Sequence, residues 1–368
     1  MASTNLDEVN LTDVESGGQV HEDLMDKLWD ISPEDLPFTD MIGSSSSSNH
    51  LKEWIEEQLE AATPDNAYID GQEDNFSDDS ETGLRFGNYH QTSVKFVSVS
   101  DRSRNVNTVG ASDELIKQVS KRQRALRRDV EARLTSNKPA IRGDGGTASA
   151  TTASECAGIG AWIGAGGHGN SSRGATTGAD PVLDGATGAG GVPTTGSVAG
   201  DLRALTEANL KAMIRACYDN GGNIKYAMGR PAVIEALSDY MFSSSARVAT
   251  MQSNVSQGNR QGVDGGNGSA DGGVVAQAAV NMYVGNFGTV TFVPNRFQPE
   301  SSVGGSDLFL IDPDLWERSY LHNYKIKQLG DIGLSTRRLI SVDYTLCALA
   351  ERGNAVIADL DESLAMTA

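Results

Sequence analysis

The chain has 368 residues, a net charge of −19, and is 38% hydrophobic and 21% charged, which allows one large or two ordinary domains with real cores. No apolar run approaches the ~20 residues of a membrane span, and Met1-Ala2-Ser3-Thr4-Asn5 lacks the basic and apolar regions of a signal peptide. A pI near 4.6 argues against nucleic-acid binding by the whole protein, and the scattered Cys156, Cys217 and Cys347 fit reduced cytoplasmic thiols rather than a disulfide framework.

The charge is unevenly placed. Residues 1–90 hold 22 acidic and 3 basic residues, whereas the rest of the chain holds 27 of each. Between Arg102 and Arg142 there are 11 basic and 4 acidic residues. An acidic arm followed by a basic helix implies a partner, and the obvious candidate is another copy of the chain.

Residues 1–20 are polar and acidic and are expected to be disordered or loosely attached. Glu22–Ile31 predicts a short amphipathic helix with Leu24, Leu28 and Ile31 on one face, stopped by Ser32-Pro33. Asp35–Gly43 reads as an extended, apolar-anchored strap and Ser44–Ser48 as a flexible joint. Leu51–Leu59 fits either a helix or a strand paired with Ser93–Val99. Residues 49–100 thus read as a long two-stranded excursion with an acidic tip, a length of loop that implies docking onto a neighbour.

Ser112–Ser136 predicts a helix, with Ser112 as N-cap and Asp113 and Glu114 in the first turn. Leu115, Val119, Leu126, Val130 and Leu134 follow helical spacing with basic residues on the other faces, and at ~1.5 Å per residue the rod is roughly 37 Å long. Residues 143–200, with 17 glycines, read as low-complexity loop around a packed Ala157–Ile163. Thr206 opens a helix with Leu210, Met213, Ile214 and Cys217 on one face, and Asn220-Gly221-Gly222 ends it. Ile224–Met228 is a strand, and Pro231 opens a helix with Ile234, Leu237 and Met241 inward. A second glycine-rich loop covers 252–273. Strands follow at Ala279–Val284 and Phe287–Val293, joined by Gly285-Asn286, and at Asp307–Asp312. Alternation around Ile340, Val342, Tyr344 and Leu346 gives a half-buried strand, which Arg352-Gly353-Asn354 turns into a last strand, Ala355–Leu360. Helices and antiparallel strands mix without a βαβ rhythm, so the class is α+β.

Reactive chemistry is sparse. His21, His50, His90, His168 and His322 have no metal-ligand spacing. Gly164-Ala165-Gly166-Gly167-His168-Gly169 lacks the Lys-Ser/Thr ending of a phosphate loop. Asp70, Glu73, Asp74, Asp78, Asp79 and Glu81 do not match a Ca²⁺-loop pattern and read as a solvated acidic loop. No enzyme activity, metal or cofactor is expected.

Three stretches in order carry a family likeness: Ile31-Ser32-Pro33-Glu34-Asp35-Leu36-Pro37-Phe38 through Met41-Ile42-Gly43 with the following Leu51-Lys52-Glu53-Trp54; Arg124-Ala125-Leu126-Arg127-Arg128-Asp129-Val130-Glu131-Ala132 with Gly158-Ile159-Gly160-Ala161-Trp162; and the closing Tyr344-Thr345-Leu346 to Asn354-Ala355. The layout resembles the major capsid (major head) proteins of tailed bacteriophages, of the Hong Kong 97-type fold. The resemblance implies an N-terminal arm (1–48), an extended loop (49–100), a peripheral domain with a spine helix (101–140 and 336–368), and an axial domain (141–335). It further implies pentamers and hexamers closing an icosahedral head around double-stranded DNA, built in the host bacterial cytoplasm. Portal, scaffolding and decoration proteins are implied partners; a membrane is not. Some relatives weld subunits through a Lys–Asn bond, but residues 49–100 hold only Lys52 and Lys95, both in the stem, so non-covalent locking is expected. Leu36, Phe38, Met41, Ile42, Trp54, Arg124, Arg127 and Arg128 are the candidate subunit contacts. The alternative reading is a nucleic-acid-binding structural protein using the basic 102–142 helix.

Overall fold

The computed structural model describes residues 31–367, apart from 60–61, 66, 68–69, 72–81, 107–112, 145–150, 175, 186–189 and 244–281. The helix expected from Glu22, the acidic tip, Ser112 and the 252–273 loop therefore fall wholly or mostly outside the described residues. The helices are α1 (Pro37–Met41), α2 (Asp101–Asn105), α3 (Glu114–Leu134), α4 (Ile159–Trp162), α5 (Glu207–Asp219) and α6 (Pro231–Ser243). The strands are β1 (Gly43–Ser46), β2 (Leu51–Glu56), β3 (Leu84–Tyr89), β4 (Gln91–Ser100), β5 (Asn170–Ser172), β6 (Val182–Leu183), β7 (Pro193–Thr195), β8 (Tyr226–Gly229), β9 (Met282–Gly285), β10 (Gly288–Pro294), β11 (Ser306–Ile311), β12 (Trp316–Leu329), β13 (Ser335–Ala348) and β14 (Ala355–Leu360).

Two sheets organise the chain. The first has the order β1-β12-β13-β4, with β1 parallel to β12 and the other pairs antiparallel. Helix α3 packs on it, burying Leu115, Leu126, Val130 and Leu134 in a core shared with Val97, Val99, Ile340 and Val342. Asp113 caps α3 by accepting from the Leu115 N–H at 2.9 Å. The second sheet has the order β5-β14-β11-β8-β10-β9. Its two-residue periodicity divides its side chains between two cores. Phe309, Ile311 and Val356 join the core beneath α3, while Leu308, Leu310, Ala355 and Ile357 join that of α5 and α6. Leu210, Ile214 and Cys217 on α5 and Ile234 and Leu237 on α6 are buried there, as their spacing predicts.

Several expectations are corrected. The strap is not extended throughout: Pro37 starts the short helix α1. The serine joint is strand β1, whose backbone pairs with the edge of β12, so side chains without packing power are no obstacle to order. Strand β2 pairs with β3, not with 93–99; β4 is instead taken by β13. Strand β12 went unanticipated, because Trp316–Leu329 is mostly polar and only part of it is buried. The turn at Arg352-Gly353-Asn354 does not make a hairpin: β13 and β14 lie in different sheets, and the chain crosses between them through a 3₁₀ turn at Glu351–Gly353. Strand β12 lies in the first sheet with β13, and β14 lies in the second with side chains in both cores.

Much of 151–200 is packed rather than loose, because its glycines let backbones touch. A Cβ on Gly158 would lie 2.2 Å from the Ser136 carbonyl oxygen, and one on Gly190 would lie 2.0 Å from that of Arg85. Gly158→Ala should cost roughly 1–3 kcal/mol by overpacking, read by chemical denaturation. Gly330→Ala, with open space around it, should stay within about 0.5 kcal/mol of the parent.

Candidate functional site

The basic helix α3 contains one buried acid that decides its surroundings. Glu131 is fully buried and accepts hydrogen bonds from the Phe38 N–H (2.8 Å), the Thr39 N–H (2.9 Å) and Asn295 Nδ2 (2.8 Å). It thereby satisfies first-turn donors of α1, which lacks a side-chain cap of its own. Burial raises its carboxyl pKa, outweighing the hydrogen bonds that lower it. With the arm seated, Phe38 meets Trp316 edge-on at 6.2 Å and Ile42 is buried, while Leu36 and Met41 are half-buried.

The cations of α3 are largely engaged within the chain. Arg124 pairs with Glu34. Arg127 lies 5.4 Å from the Tyr324 ring centroid and Arg128 6.0 Å from that of Phe297. Arg133 is buried, donating to the carbonyl of Cys156 from Nε (2.8 Å) and to Glu155 from Nη1 (2.6 Å). Asp129 holds Lys95 of β4 at 2.5 Å.

The β2–β3 hairpin is also anchored at home. Trp54 is half-buried, its ring centroid 5.2 Å from that of Trp162 on α4, and Phe86 meets Trp162 at 6.3 Å. Buried Asn88 donates to the carbonyls of Ala157 (3.2 Å) and Leu346 (2.8 Å) and accepts from the Ala157 N–H (2.9 Å). At the end of β2, Glu56 faces Arg352 at 3.4 Å, and Arg352 Nη2 lies 2.8 Å from His168 Nδ1. Burial, reinforced by the Glu56 charge, holds the Glu351 carboxyl well above the usual carboxylate range.

Within this chain Phe38 and Ile42 are buried and Trp54 half-buried, each packed against its own core. Arg124, Arg127 and Arg128 do share one helix, as predicted, but each already has an intrachain partner. Sequence reasoning missed Glu131 and Asn295; an acid beside apolar positions of a basic helix is a faint signal, and its partners lie 92 to 164 residues away. Among the exposed apolar side chains, Val94, Phe96, Ile326, Ile332 and Leu334 lie on the first sheet and its turn.

Reactive groups do not converge. Among the described residues no three His, Cys, Asp or Glu side chains are grouped to hold a metal, and no helix is long and apolar enough to cross a membrane. Burial pushes the thiols of Cys156, Cys217 and Cys347 up to about 11, 12 and 12. The Gly164–Gly169 turn runs into strand β5 instead of a helix, so it lacks a phosphate-binding helix terminus.

A family model described as SU10 major capsid protein matches residues 3–361. The major capsid protein of Escherichia phage Phieco32 is 29% identical over 108 residues, a stretch covering 29% of this chain and 30% of that protein. Among solved structures, the capsid of cyanophage P-SCSP1u superposes with a TM-score of 0.53 at 12% identity, covering 98% of this chain and 100% of that one. A chain of Mycobacterium phage Bobi does so with a TM-score of 0.52 at 10% identity, covering 95% and 98%. At these identities the likeness shows the fold, which is Hong Kong 97-type.

Glu131→Ala should strip three buried donors of their acceptor and cost about 2–4 kcal/mol, with Glu131→Gln costing less, both read by denaturant titration. Because folding raises this carboxyl pKa, its contribution is full below the ordinary carboxylate value and declines as pH rises through the folded one. Glu131→Gln should remove that part of the stability–pH profile.

Proposed function

This chain belongs to the SU10 major capsid protein family, and from that premise we propose that its copies form pentamers and hexamers closing an icosahedral head around phage double-stranded DNA. The observation that carries this reading is the span of the family match, 3–361, which leaves almost none of the chain for another task. Its work is then mechanical, without catalysis or cofactor, and assembly takes place in the host bacterial cytoplasm. In this reading α3 and the first sheet form the peripheral domain, and the second sheet with α5 and α6 forms the axial domain.

Contacts between copies would draw on Val94, Phe96, Ile332 and Leu334, which are exposed and worth ~1.5–3 kcal/mol each when fully buried. The acidic stretch between β2 and β3 would orient approaching subunits and speed their association more than it adds affinity. Locking is non-covalent, for Lys95 is held by Asp129 and Lys52 sits within the β2–β3 ladder. Portal, scaffolding and decoration proteins are the other partners of such a shell, with packaged DNA at its inner surface.

Negative-stain microscopy of the expressed protein should show closed round particles, whereas tubes would overturn the reading. Replacing 60–81 by a short Gly-Ser linker should leave folded subunits that assemble at least about tenfold more slowly, followed by light scattering. Unchanged assembly would remove the acidic stretch from the mechanism.

A further inference from the structure

The arm and α3 run in the same direction. Glu34 pairs with Arg124, and four residues later Phe38 reaches Glu131, seven residues further along the helix. Followed backwards from Glu34, the arm heads for the N-terminal half of α3. The positions there on the same helical lane, one and two turns before Arg124, are Ser120, Lys117 and Ile116, with Lys121 alongside. Two features of that lane stand out. Ile116 is 69% exposed on an otherwise charged helix, and Lys121 and Arg122 are exposed and form no ion pair among the described residues. The chain that enters the lane, residues 1–30, carries eight acidic residues and one lysine. The amphipathic run ending at Ile31 offers Leu24 and Leu28 beside Asp23, Asp26 and Asp30. Ten helical residues are ~15 Å long, about the length of α3 between Glu114 and Arg124.

We infer that the acidic N-terminal segment, residues 1–30, docks on the Ile116–Lys117–Lys121–Arg124 lane of its own chain, covering Ile116 with its apolar face and neutralising the lysines. The occupant is this segment because it is tethered at the lane's end, its ten-residue amphipathic run would match the lane in length, and it carries the opposite charge. Nucleic acid would have to displace it. The inference concerns the single chain and stands or falls independently of whether shells close.

Zero-length carbodiimide cross-linking of dilute, unassembled full-length protein, mixed equally with a ¹⁵N-labelled batch, tests it. Lys117 or Lys121 should be joined to carboxylates within 1–30, in light–light and heavy–heavy pairs only, and distinct from the local Lys117–Glu114 link. The yield should fall about tenfold at 1 M salt, where the Debye length is ~3 Å. The triple variant Asp23→Lys, Asp26→Lys, Asp30→Lys should lose these links and retain a double-stranded DNA fragment at least about tenfold more tightly at low salt. Light–heavy pairs would assign the lane to a second copy and overturn the proposal. So would the absence of any link into 1–30, or equal DNA retention by parent and variant.

Discussion

A buried carboxylate with no salt bridge among the described residues ties together segments that lie 92 to 164 residues from it in the chain. Glu131 sits in the core face of a helix otherwise rich in arginine and lysine, yet its partners are two backbone N–H groups and one amide. Removing a carboxylate from water is costly unless its lone pairs are filled, and here three donors fill them. The same three bonds fix the start of α1, put Phe38 on Trp316 and tie the end of β10 to the spine of the molecule. Because α1 is placed, β1 follows directly onto the edge of β12. The arm is therefore part of this chain's own fold from Leu36 onward.

The basic character of α3 takes on a different meaning in that setting. A run of arginines on a helix invites a nucleic-acid reading, but Arg133 is an internal strut, and Arg124, Arg127 and Arg128 are each committed to a carboxylate or a ring of the same chain. In its N-terminal half Lys121 and Arg122 are exposed and form no ion pair among the described residues. Cations that already serve as internal counter-ions contribute little to counter-ion release on DNA. The helix is better described as a rod whose charge organises the chain around it.

The second sheet supplies the complementary constraint. It is covered on both faces, so β11 and β14 are apolar at successive positions rather than at alternate ones. Each strand feeds two cores, which makes the two halves of the molecule one mechanical unit. The β2–β3 hairpin is rooted in the same unit by Trp54, Phe86 and Asn88, with the Glu56, Glu351, Arg352 and His168 cluster at its foot.

By itself the sequence determined the elements whose signals are local. Helix α3 has its cap and its apolar spacing, α5 has Thr206 and Asn220-Gly221-Gly222, α6 has Pro231, and the β9–β10 hairpin has its tight turn. It also determined the family, because the order of arm, hairpin, rod and closing strands is itself sequence information. Only the tertiary structure decided which strands pair, since β2 and β4 have similar alternation and β3 and β13 are both suitable partners. It alone showed that the glycines of 151–200 serve close backbone contact, a property of two segments at once. The role of Glu131 lay beyond reach for the same reason: an isolated glutamate in a helix is ordinarily solvated, and its burial comes from donors 92 to 164 residues away.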